Sequence, residues 1–90
     1  MVDLDTKIKA GAKIIDVRTT EEFTEDHYPS ALNIPVDQLR QRLTEIGGKN
    51  TSIVLDCASG ARSAVAARLL KSAGYTDVVK AGGLDDMPRN

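Results

Sequence analysis

The chain has 90 residues, 41% apolar and 28% charged, with a formal charge of −1. That balance belongs to a globular chain rather than a disordered one, and the length fits a single domain over 1–90. One cysteine excludes an internal disulfide, a CxxC pair and a multi-cysteine zinc site, and one histidine leaves little for any metal cage.

Charged residues are scattered and aromatics make up only 3%, so the basic footprint and stacking platforms of a nucleic-acid binder are missing. No apolar stretch approaches the roughly 20 residues of a membrane span. The start, Met1-Val2-Asp3-Leu4-Asp5, is acidic and has no apolar leader core. A cytosolic protein is expected as written, or a periplasmic one if a leader has been removed.

In chain order, residues 4–10 predict a short helix stopped by Gly11. Lys13-Ile14-Ile15-Asp16-Val17 reads as a buried strand. Thr19 or Thr20 caps a short helix over 21–25, whose acidic first turn suits the helix dipole. Tyr28-Pro29-Ser30 is a turn, and Ala31-Leu32-Asn33-Ile34 a very short strand ended by Pro35. Val36, Leu39, Leu43 and Ile46 recur at spacings that predict one face of an amphipathic helix, closed by Gly47-Gly48. Ser52-Ile53-Val54-Leu55-Asp56 is the clearest central strand. After the small-residue loop Cys57-Ala58-Ser59-Gly60-Ala61, a helix is predicted over 62–73, with Val65, Ala66, Leu69, Leu70 and Ala73 inward and Gly74 just past its end. Asp77-Val78-Val79-Lys80 is the last strand, followed by Gly82-Gly83 and a polar tail. Apolar strands alternating with helices predict an α/β domain of three layers, a central parallel sheet with helices on both faces.

The chemistry concentrates where the best strand meets the best helix. In open α/β sheets, ligands bind beyond the carboxyl ends of the strands. A thiol there faces unpaired N–H groups of the following loop and helix, and Arg62 adds a fixed positive charge. Both favour the thiolate. Gly60 lets the backbone curl so that successive amides face inward as an anion nest, and Ala58, Ser59 and Ala61 leave room for a substrate. An inert buried cysteine is the alternative, but the flanking Ala-Ser-Gly-Ala-Arg-Ser argues for a reactive one.

Three stretches carry a family resemblance: Ile15-Asp16-Val17-Arg18-Thr19-Thr20-Glu21-Glu22-Phe23, His27-Tyr28-Pro29-Ser30-Ala31-Leu32-Asn33-Ile34-Pro35 and Cys57-Ala58-Ser59-Gly60-Ala61-Arg62-Ser63. Together they resemble the single-domain rhodaneses, sulfurtransferases with a rhodanese-like fold, over essentially the whole length. Ala81-Gly82-Gly83-Leu84 adds a likeness to the small phage-shock type. The resemblance implies that Cys57 is catalytic and carries a persulfide between thiosulfate and a thiophilic acceptor, cyanide or a small or protein thiol. It implies that Ala58, Ser59, Gly60, Ala61, Arg62 and Ser63 bind substrate. No cofactor or metal is required, no separate base is needed by an ionised thiol, and a monomer is expected.

Asp16 and Arg18 are supporting candidates near the site, read first as an ion pair or loop pin. His27 is read as a packing residue rather than a base, Arg68 and Lys71 as solvated charges, and the stripe Val36/Leu39/Leu43/Ile46 as core. Two other readings stand beside the main one. A persulfide carrier or partner-binding module shares the chemistry and differs in the acceptor. A small cysteine phosphatase is the lesser alternative, because its Cys/Arg loop has one residue more than the four here, Ala58 to Ala61. Arg62 also sets the loop apart from mercaptopyruvate-type loops, which lack it. The chain departs from the pattern at Asp26 and Ser30, where glycine is frequent, at Asp56, where an aromatic is common, and at Asp85-Asp86-Met87, where an aromatic usually follows the Gly-Gly pair.

Overall fold

The computed structural model describes residues 4–56 and 60–82. Four strands, β1 (Lys13–Asp16), β2 (Leu32–Asn33), β3 (Ser52–Asp56) and β4 (Asp77–Gly82), form one sheet in the order β2-β1-β3-β4. Every neighbouring pair is parallel. Three α-helices, α1 (Leu4–Lys9), α2 (Thr20–Glu25) and α3 (Gly60–Ser72), and a 3₁₀ segment, Val36–Glu45, supply the connections. Among the described residues no helix is long and apolar enough to cross a membrane.

Alternation along the strands divides the core in two, since neighbouring side chains leave opposite faces. Ile15, Val17, Ile53 and Leu55 join Ile34, Leu39 and Ile46 and the α3 residues Ala66, Ala67 and Leu70 on one face. On the other, Ile14 and Val54 pack against Leu4 and Ile8 of α1 and against Tyr28, Ala31 and Ala81. Apolar burial on both faces explains why β1 and β3 read as continuous apolar runs.

Helix ends follow local chemistry. α1 and α3 each close with a glycine at positive φ, Gly11 (103°) and Gly74 (104°). Past α3, the Gly74 N–H bonds the Lys71 carbonyl and the Tyr75 N–H the Leu70 carbonyl, the paired bonds of a Schellman motif. Tyr75 then packs into the core beside Leu70 and donates its hydroxyl to the Gly47 carbonyl at 2.7 Å.

Two expectations change. Residues 36–45 form a 3₁₀ segment with a break at Arg42 (φ −115°, ψ 21°), not one α-helix. Leu39 and Ile46 are still fully buried, with Val36 and Leu43 packed at the edge. The tighter turn and the kink keep the four apolar residues on the core while the chain bends. On α3, Val65 points outward and is 54% exposed. The inward face is Ser63, Ala66, Ala67 and Leu70, at spacings of three, one and three, with Leu69 and Ala73 half-buried. Small residues there let α3 lie close against the sheet.

Candidate active site

The strand order puts a topological switch point between β1 and β3: the chain leaves β1 toward β2 on one side, and β3 lies on the other. In such sheets the crevice beyond the carboxyl ends of these two strands is where ligands sit. Asp16 ends β1 and Asp56 ends β3, and the two are register partners. β3 stops at Asp56 and α3 starts at Gly60. Cys57, Ala58 and Ser59, expected to carry the thiol and half of the anion loop, lie outside the described residues, as does the tail from Gly83 with Leu84, Asp85, Asp86 and Met87. Ala61 is exposed in the first turn of α3, Arg62 is half-buried and Ser63 is buried.

Asp16 and Arg18 form a buried ion pair. The Arg18 Nε donates to both Asp16 carboxylate oxygens at 3.0 and 3.1 Å, and Nη2 to Oδ2 at 2.7 Å. The Arg18 backbone N–H donates to Oδ1 at 2.9 Å. Nη2 also reaches the Asp26 carbonyl at 2.6 Å, so the guanidinium pins the segment after α2 to the end of β1. Hydrogen bonds to Asp16 raise the Arg18 pKa above its ordinary value, against the opposing effect of burial. Asn33 completes the brace, donating Nδ2 to the Asp16 and Arg18 carbonyls, each at 3.0 Å. Truncating one partner of a buried pair typically costs about 3–5 kcal/mol, because it strands the other charge.

Arg62 is engaged by Glu22. Its Nη1 and Nη2 donate to the two Glu22 carboxylate oxygens at 2.6 and 3.1 Å, a fork that ties α3 to α2. Glu22 is also the third residue of a capping box: its carboxylate accepts from the Thr19 N–H at 3.0 Å, while the Thr19 hydroxyl accepts from the Glu22 N–H. Arg62, and after it the Thr19 N–H, hold the Glu22 carboxyl down to about 2. Arg62 therefore stands at the site with a counter-charge, oriented rather than loose.

Asp56 is the outlier. It is fully buried, and neither carboxylate oxygen has a hydrogen-bond partner among the described residues. Burial, and then the charge of Asp16, push its carboxyl up to about 6, with Arg18 pulling the other way. The buried Ser63 Oγ, in the first turn of α3, also lacks a partner among the described residues. His27 stacks on Phe23, ring centroids 3.8 Å apart, and its Nδ1–H donates to the Phe23 carbonyl at 2.8 Å. Arg68 and Lys71 are exposed.

Glu22 and Asn33 were not among the residues singled out from the sequence. Thr19-x-x-Glu22 is a capping-box pattern and could have flagged Glu22, but its link to Arg62, forty residues away, has no local signal. Asn33 stands in an ordinary strand-end position, and only the fold turns it toward β1.

The profile of the Rhodanese-like domain family matches residues 2–86. The Escherichia coli protein named Thiosulfate sulfurtransferase PspE is 38% identical over 74 residues, covering 81% of this chain and 71% of that one. The Bacillus subtilis protein named Putative sulfur carrier protein YrkF is 38% identical over 66 residues, covering 73% of this chain and 35% of that longer one. A solved structure described as rhodanese with anions from E. coli superposes with a TM-score of 0.80 at 37% identity, covering 87% of this chain and 95% of that one.

Proposed function

Because the chain belongs to the rhodanese-like family of sulfurtransferases, we propose that it moves a sulfane sulfur from thiosulfate to a thiophilic acceptor through a persulfide on Cys57. The Cys57 thiolate attacks the outer sulfur of thiosulfate, forming one S–S bond while the S–S bond of thiosulfate breaks. Sulfite leaves with the bonding pair. The resulting persulfide anion is attacked at its terminal sulfur by cyanide or a thiolate, which takes that sulfur and returns the Cys57 thiolate. With cyanide no proton moves in either step, so a site whose one histidine serves Phe23 is sufficient.

The observation that carries this reading is the site's place in the fold: the only cysteine occupies the connection from the carboxyl end of β3 to the first turn of α3, at the switch point of a parallel sheet. Helix N–H groups and the Arg62 guanidinium favour an anion there. The amides of Ala58, Ser59, Gly60, Ala61 and Arg62, with the Ser63 hydroxyl, are assigned to the substrate. Asp16 and Arg18 hold the floor beneath it. Thiocyanate formation from thiosulfate and cyanide tests the proposal. Parallel double-reciprocal lines are expected, and Cys57→Ser should be inactive; intersecting lines or an active Cys57→Ser would refute the covalent route.

The likeness to a protein named as a sulfur carrier favours a second reading, in which the same persulfide is handed to a protein thiol. The two differ in the acceptor alone.

A further inference from the structure

A buried carboxylate with no partner, at the mouth of a site meant for an anion, works against that anion. Arg18 relieves it only in part through its charge, because its Nε and Nη2 are committed to Asp16 and to the Asp26 carbonyl and donate nothing to Asp56. Arg62 is matched by Glu22. With Asp56 ionised, these charged groups of the strand ends, Asp16, Arg18, Glu22, Arg62 and Asp56, sum to one negative charge; with Asp56 protonated they sum to zero.

We propose that Asp56 determines which sulfur donors the site accepts: its unpaired carboxylate, one residue before Cys57, disfavours dianionic donors such as thiosulfate relative to neutral ones, and protonation lifts the bias. This rests on the reading of Cys57 as the sulfur-carrying thiol. Asp56 acts through the field at that thiol and is a positioning residue, not a catalytic one.

The surroundings leave Asp56 as the group to titrate. On its own face of the sheet, α1 brings Lys7, paired with Asp77, and Lys9, paired with Asp5. The turn after α2 brings the backbone-bonded Arg18 contact at Asp26, the Phe23-stacked His27 and Tyr28. β4 sets Gly82 against Asp56, and Lys80 pairs with Leu55, whose side chain lies on the opposite face. α3, on that opposite face, brings Arg62, Arg68 and Lys71. Imidazoles in general change charge in this range, so His27, the one histidine of the chain, is the control.

Two alkylating reagents of the same chemistry and different charge, iodoacetamide and iodoacetate, read the field at the lone cysteine. The degree of thiol ionisation cancels in the ratio of their rates. The iodoacetamide to iodoacetate ratio should rise about five- to tenfold between roughly pH 5 and 8 in the wild-type chain. It should stay flat in Asp56→Asn and rise as in the wild type in His27→Gln. A flat wild-type ratio, a rise that survives Asp56→Asn, or a rise lost in His27→Gln would overturn the proposal. The wild-type arm needs no variant to fold. Alkylation also reads Asp56 whether or not thiosulfate is a donor, so failure of sulfur transfer and failure of this proposal are separate results. If both hold, Asp56→Asn should lower the KM for thiosulfate at pH 8 several-fold and leave the KM for an uncharged dialkyl trisulfide or polysulfide donor unchanged.

Discussion

Asp16 and Asp56 are register partners at the ends of adjacent strands, both fully buried, yet their surroundings differ completely. Asp16 is saturated by Arg18, whereas Asp56 has no donor among the described residues. An aspartate in the unfolded chain ionises near 3.8, and Asp56 in the fold at about 6. Between these values the folded state keeps a proton that the unfolded state has lost. Asp56 therefore costs stability as pH rises through that window, up to about 3 kcal/mol in full. Glu22 has the opposite sign, since its depressed pKa contributes stability that is lost only as pH falls toward about 2. Urea unfolding at pH 4 and pH 7.5 separates the two. Asp56→Asn should gain on the wild type by about 1–3 kcal/mol between these pH values, and an unchanged difference would mean that Asp56 ionises freely. Asp56 stood out in the sequence as a departure from the family pattern. Its isolation did not, because whether a buried carboxylate meets a donor depends on how the folded chain packs around it.

At the level of elements, the sequence located strands and helices well and misjudged surfaces. Apolar runs placed β1 and β3 within a residue, because strands covered on both faces are apolar through their middles and polar only at their ends. The stripe at Val36, Leu39, Leu43 and Ile46 identified the right core residues and the wrong helix type. Three- and four-residue spacings suit a kinked 3₁₀ segment as well as an α-helix, and the kink at Arg42 lies beside Leu43, whose carbonyl accepts from the distant Tyr75 hydroxyl. Val65 was placed inward on apolarity alone, but α3 lies so close to the sheet that the small Ser63 and Ala67 take the inner positions. Helix stops were the most legible feature, since only glycine adopts the left-handed conformation cheaply. Gly74 shows this directly: a Cβ there would meet Lys49 at 3.5 Å, ordinary contact, so backbone strain is the main cost of a side chain. Gly74→Ala should destabilise the protein by about 1–2 kcal/mol in thermal or urea unfolding; no loss would show that the Schellman bonds do not hold this turn.

For the whole molecule, the parallel order β2-β1-β3-β4 explains why residues far apart in sequence serve one place. Asp16 comes from β1 and Arg18 from the segment just after it, Glu22 from α2, Asn33 from β2, Asp56 from β3, and Arg62 and Ser63 from α3. The motif from Cys57 to Ser63 is contiguous, so a site could be proposed there from the chain alone. The braces Glu22–Arg62 and Asn33–Asp16 were not, because they exist only once the sheet has formed. Every role proposed for these residues depends on Cys57 becoming a persulfide. Intact-mass measurement after incubation with thiosulfate reads that directly: one added sulfur atom is expected, removed by cyanide and absent from Cys57→Ser. An unchanged mass, or a gain that persists in Cys57→Ser, would contradict it.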